Sequence, residues 1–103
     1  MFSYQIELQE KSLILYFKGS LDIEVTEMMY DRILPSLHTY KHIVINFQEV
    51  EFVDSTGIGL LIEMVQELHE QNTNISIVEV SESIKSIFEL LQLSDILGEN
   101  VLQ

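Results

Sequence analysis

The sequence predicts an α/β fold: a four-stranded mixed β-sheet with helices in the order β-β-α-β-α-β-α, forming one domain over residues 1–103. Three observations predict it. Apolar residues recur at a period of two in some segments and three to four in others. Two strand patterns come first, and the later ones alternate with helical patterns, which is the signature of strands joined by helical crossovers. A chain of 103 residues that is 47% hydrophobic suffices for one core and leaves no room for a second.

Each element follows from its own pattern. Phe2, Tyr4, Ile6 and Leu8 alternate with polar residues, as in a half-buried strand. Gln9-Glu10-Lys11-Ser12 is a polar turn into Leu13-Ile14-Leu15-Tyr16-Phe17, a continuous apolar run suited to a strand covered on both faces. The pair predicts an antiparallel hairpin. Lys18-Gly19-Ser20-Leu21-Asp22 breaks the run, and from about Glu24 the residues Val25, Met28, Met29 and Ile33 fall at helical spacing, with Pro35 expected to kink the helix or end its regular part. His42 to Phe47 reads as a buried strand, followed by an acidic bend around Glu49 and Glu51 and a short extension at Phe52-Val53. Ile58, Leu61, Ile62, Val65 and Leu68 form the apolar stripe of a second helix, for which Asp54 or Ser55 is a natural N-cap. Asn72-Thr73-Asn74 ends that helix and Ile75 to Val78 forms the fourth strand. Ser81 can cap a third helix carrying Ile84, Ile87, Phe88 and Leu91, and Leu93, Ile96 and Leu97 suit a short terminal helical turn.

Composition narrows the function. Five Lys and Arg against seventeen Asp and Glu give a net charge of −12, which repels phosphate backbones and anionic lipid, so neither nucleic acid nor membrane is expected as a partner. Proteins with basic or mixed faces are. The absence of Cys removes disulfides, thiolate metal sites and Cys nucleophiles, and fits a reducing compartment. With no basic residue before Lys11 and no apolar run near the ~20 residues that span a bilayer, the chain reads as cytoplasmic.

The strongest local feature is Asp54-Ser55-Thr56-Gly57, placed where a strand feeds a helix. Such turns at the carboxyl edge of α/β sheets are where ligands and partners are met. Helix capping is the plainer account, because Asp, Ser and Thr oxygens satisfy free backbone N–H groups. Three potential caps in a row exceed what one helix start requires, and Gly57 and Gly59 in its first turns cost up to ~1 kcal/mol each relative to Ala. Both glycines suggest close approach of another backbone or molecule. A hydroxyl here is also a sensible phosphoacceptor, since a phosphate would meet free N–H donors and the positive end of the helix dipole.

With Gly19-Ser20-Leu21-Asp22 after the second strand, Asp54-Ser55-Thr56-Gly57 before the second helix and Ile87-Phe88 in the third, the chain resembles the STAS domain of bacterial anti-anti-sigma factors, also called anti-sigma factor antagonists. The resemblance spans nearly the whole chain, making residues 1–103 a STAS domain. It implies that Ser55 is phosphorylated by an anti-sigma factor with serine kinase activity. The unmodified form would bind that kinase and free a sigma factor; a protein serine phosphatase would reset the switch. The implied partner surface comprises Gly19, Ser20, Leu21, Asp22, Asp54, Ser55, Thr56, Gly57 and Ile58. The alternative it leaves open is a STAS scaffold, or an antagonist acting on another signalling partner. Two positions depart from the family pattern: Ser20 replaces a frequent acidic residue, and Gln92 a Gly.

Other chemistries are weaker. Asp54 cannot be the phosphoacceptor of a receiver domain, because no acidic pair follows the first strand, and the motif lacks the Asp-x-Gly spacing and all-β scaffold of an aspartic protease. His38, His42 and His69 lack metal-ligand spacing and offer Ser55 no evident base, so no metal, catalytic residue or enzyme activity is expected. Gly57-Ile58-Gly59 is too short for a phosphate-binding loop, and no cofactor is expected. Glu63, Glu67 and Glu70 suit a solvated helix face, and Met28, Met29 and Met64 suit packing.

Overall fold

Strands β1 (Ser3–Gln9) and β2 (Ser12–Leu21) pair antiparallel in one register, from Ser3 opposite Lys18 to Gln9 opposite Ser12, leaving only Glu10 and Lys11 as the turn. This computed structural model describes residues 1–98 and 100–103. β3 (His42–Val53) pairs parallel with β2, and β4 (Asn74–Val78) pairs parallel with β3, giving the sheet order β1-β2-β3-β4. The four-stranded mixed α/β sheet is the one the residue pattern predicts.

One expectation about it is corrected. The runs Leu13 to Phe17 and Ile43 to Phe47 are covered on one face only: Leu13, Leu15, Phe17, Ile43, Ile45 and Phe47 are buried, whereas Ile14, Tyr16, Val44 and Asn46 between them are half-buried. Topology is the reason. The crossovers from β2 to β3 and from β3 to β4 step across the sheet in the same direction, so connections of one hand place their helices on one side. The core lies between that side and the helices. A chain of aromatic contacts runs through it from Phe2 to Phe17 (ring centroids 5.1 Å apart), to Phe47 (5.8 Å) and to Phe88 (6.1 Å).

β3 also runs further than the acidic residues suggest. It continues through Glu49 and Glu51 to Val53, and two register shifts against β2 absorb the extra residues. Gln48 and Glu49 are both exposed before buried Val50, and Glu51 and Phe52 are both exposed before buried Val53. A bulge lets two successive residues face solvent without ending the strand.

The first helical segment, α1, comprises a 3-10 turn (Ile23–Val25), an α turn (Thr26–Met28), a π segment (Met29–Ile33) and a last α turn (Leu34–Leu37). Pro35 neither ends nor breaks it. Lacking an N–H, Pro35 cannot bond the carbonyl four residues back, and the widened π turn lies immediately before it, where the Leu34 N–H donates to the Met29 carbonyl. Val25, Met29, Ile33, Leu34 and Leu37 still reach the core.

α2 (Ser55–Glu70) buries Ile58, Leu60, Leu61, Met64, Val65 and Leu68. α3 (Glu82–Leu90) is capped by Ser81, whose hydroxyl accepts from the Ile84 N–H, and buries Ile84 and Phe88; Ile87 and Leu91 stay exposed. Gln92 then adopts a left-handed conformation (φ 53°, ψ 45°) before α4 (Leu93–Leu97). That explains why Gly suits this place, since an L side chain in this region costs roughly 1–2 kcal/mol. Gln92→Gly is expected to stabilise the domain by about 1 kcal/mol, read as a higher urea midpoint at unchanged slope.

Candidate functional site

The site is built where the carboxyl ends of β2 and β3 meet the start of α2. Leu21 ends β2 and Val53 ends β3, paired with each other and both buried. The next residue, Asp54, donates its N–H to the Leu21 carbonyl (3.3 Å) and is extended (φ −105°, ψ −176°). Its side chain then caps α2: Oδ1 accepts from the Gly57 N–H at 2.8 Å, and its carbonyl accepts from the Ile58 N–H at 2.9 Å. Asp54 therefore fills the capping role, which releases Ser55. Ser55 is the first residue of the helix and is exposed, whereas Thr56 is half-buried.

Gly57 has an internal reason to be glycine. A methyl group there would overlap the Leu21 carbonyl oxygen and stand 2.7 Å from its carbon, so the helix start is pressed against the end of β2. The close approach inferred from the glycines is thus made at Gly57 by this chain's own backbone. Gly59, by contrast, faces open space, and nothing in the structure explains its choice.

The Gly19 to Asp22 segment lies alongside. Gly19 is buried at φ +97°, with the Met1 carbonyl packed where a side chain would go. Ser20 is half-buried opposite Phe52, and the Asp22 carboxylate accepts from the Glu24 N–H at 3.0 Å, capping the first turn of α1. A cleft of about 210 Å³ opens here between Met1, Phe2, Ser20, Asp22, Glu24 and Met28. Of the nine residues assigned to the surface, Ser20, Asp22, Asp54, Ser55 and Thr56 reach solvent; Gly19, Leu21, Gly57 and Ile58 are buried beneath them and shape the loops.

Two neighbours were missed by sequence reasoning. Ile23 is 66% exposed beside Asp22, and Phe52 is 53% exposed opposite Ser20. Adjacent Phe52 and Val53 point to opposite faces, so one of them meets solvent once the sheet is covered on one side only, a fact of topology that the apolar run does not carry. The rim around them is acidic: Asp22, Glu24, Glu51 and Asp54 belong to it, and neither segment 19–24 nor segment 51–59 contains Lys, Arg or His.

A one-sided α/β domain that holds a serine hydroxyl free at its carboxyl edge defines the class. Within it, the chain belongs to the STAS domain family, whose model matches residues 3–102. An anti-sigma-B factor antagonist of Staphylococcus epidermidis is 30% identical over 83 residues, covering 80% of this chain and 77% of the relative. The anti-sigma factor antagonist SpoIIAA in its unphosphorylated form superposes with a TM-score of 0.71 at 20% identity, over 98% of this chain and 87% of that one. The Bacillus cell fate determinant SpoIIAA in the phosphorylated form gives 0.70 at 19% identity, over 98% and 89%. At these identities the superpositions speak to the fold.

Proposed function

We propose that this chain is an anti-sigma factor antagonist that works by binding and is switched at Ser55. Unphosphorylated, it binds an anti-sigma factor with serine kinase activity and frees a sigma factor; phosphorylation of Ser55 ends the complex, and a protein serine phosphatase restores it. The observation that carries this reading is the division of labour at the helix start, where Asp54 caps and Ser55 is left exposed. The name of the Staphylococcus relative and the phosphorylated form of SpoIIAA support it. Residues 1–103 act as one STAS domain in the cytoplasm, where the kinase and its ATP are found, and contribute no catalytic residue or cofactor of their own. Among the described residues no helix is long and apolar enough to cross a membrane.

The test is incubation with the cognate anti-sigma kinase and ATP, followed by phosphopeptide mapping. One phosphate on Ser55 is expected; a phosphate on Thr56 or Ser20 contradicts the assignment. Ser55→Ala is expected to remain unmodified, to bind as well as the unmodified protein, and to lose at most about 1 kcal/mol of stability, because Asp54 keeps the cap. Denaturant melts and a binding titration of the variant check both statements.

A further inference from the structure

We infer that the open edge of β1 pairs with β1 of a second copy, joining two four-stranded sheets into one across a two-fold axis at Ile6. The two edges of the sheet are treated differently by the chain. At β4 the C-terminal segment adds itself as the start of a further parallel strand: the Ile77 N–H donates to the Val101 carbonyl at 2.7 Å, and the Gln103 N–H donates to the Ile77 carbonyl at 3.0 Å. At β1 no described segment does this. β1 also lacks the usual devices that blunt an edge. It is seven residues long, contains neither Pro nor Lys, and keeps an unbroken register with β2.

The hairpin decides which groups point outward. A two-residue turn closes on a hydrogen-bonded pair, here Gln9 and Ser12, so Gln9, Glu7, Gln5 and Ser3 spend their backbone groups on β2. Tyr4, Ile6 and Leu8 turn their N–H and C=O groups to the free edge. Their side chains share the helix-covered face with Phe17, Leu15 and Leu13 opposite them, yet Ile6 is 36% exposed and Leu8 61% exposed. The alternation in β1 thus predicts burial that one copy alone does not deliver.

The strand is self-complementary about its midpoint. With Ile6 facing Ile6 of the second copy, Tyr4 faces Leu8 and Gln5 faces Glu7, and each outward N–H finds an outward carbonyl. Apolar residues meet apolar residues, and the only charge on the strand, Glu7, meets an amide rather than its own copy. This makes β1 suited to self-association even on a chain with net charge −12. β2 separates this edge from β3 and Ser55, so both Ser55 sites stay open and the assembly is bivalent for its partner.

Light scattering on a dilution series of the purified chain tests this. The expected result is a concentration-dependent mass rising from 12.0 kDa toward about twice that value. Ile6→Pro removes an outward donor without touching the bonds to β2, and is expected to give monomer at every concentration with unchanged far-ultraviolet circular dichroism. Gln5→Lys places a cation opposite Glu7 and is expected to move the midpoint to concentrations roughly threefold lower or more. A wild-type chain that stays at 12.0 kDa, a dimer that survives Ile6→Pro, or a Gln5→Lys variant that associates no better overturns the inference.

Discussion

Gly57→Ala is expected to cost the domain about 3 kcal/mol. The methyl would stand 2.7 Å from the Leu21 carbonyl carbon and closer still to its oxygen. Neither partner can give way cheaply. Leu21 is held by its pairing with Val53 and by the bond from the Asp54 N–H, and Gly57 is held by the Asp54 cap. Overpacking in a tight core typically costs 1–3 kcal/mol, and here it also strains a cap and the end of a strand pair. Urea melts of the variant check the magnitude. A loss below about 1 kcal/mol would mean that the helix start is not pressed against β2.

Phosphorylation of Ser55 is expected to weaken partner binding more than tenfold while leaving the fold in place. Ser55 and Thr56 open the helix, where backbone N–H groups have no intrahelical acceptor, so a phosphate added there gains donors and the positive end of the dipole. The free protein has no reason to rearrange. The cost falls instead on a kinase that holds a carboxylate base near the hydroxyl during transfer. With that carboxylate about 5 Å from the new phosphate, each unit of charge costs roughly 3 kcal/mol at an effective dielectric near 20, and a phosphate brings about 1.5 to 2 such units. Half of one unit's cost already weakens binding about tenfold. The acidic rim of Asp22, Glu24, Glu51 and Asp54 provides no countercharge on this side. Amide chemical shifts should change only over residues 19–24 and 51–60; shifts spread through the sheet would identify a conformational switch instead.

What was legible in the sequence was local. The element order, a helix cap at Asp54 or Ser55 and the Ser81 cap follow from side-chain chemistry acting within a few residues; the structure has the order and the Ser81 cap, and puts the other cap at Asp54. Non-local facts were hidden. A continuous run such as Leu13 to Phe17 does not say how many faces are covered; that depends on which way the crossovers step. Glu49 and Glu51 suggest a bend only if the strand register is regular, and the bulges against β2 remove that premise. Pro35 marks a disturbance in α1, but whether it ends the helix or widens one turn is set by the buried residues on either side, Ile33, Leu34 and Leu37. At the site, the motif located Ser55 correctly at the helix start, while the reason for Gly57 lay 36 positions back along the chain, at Leu21.

The central claim is that the state of the Ser55 hydroxyl decides whether the partner binds. Calorimetric titration of the anti-sigma kinase with unmodified, Ser55→Ala and phospho-Ser55 protein tests it most directly. The first two are expected to bind alike, and the phosphorylated form at least about tenfold more weakly, a difference of ~1.4 kcal/mol or more. Equal affinity of all three forms for that kinase would contradict the account.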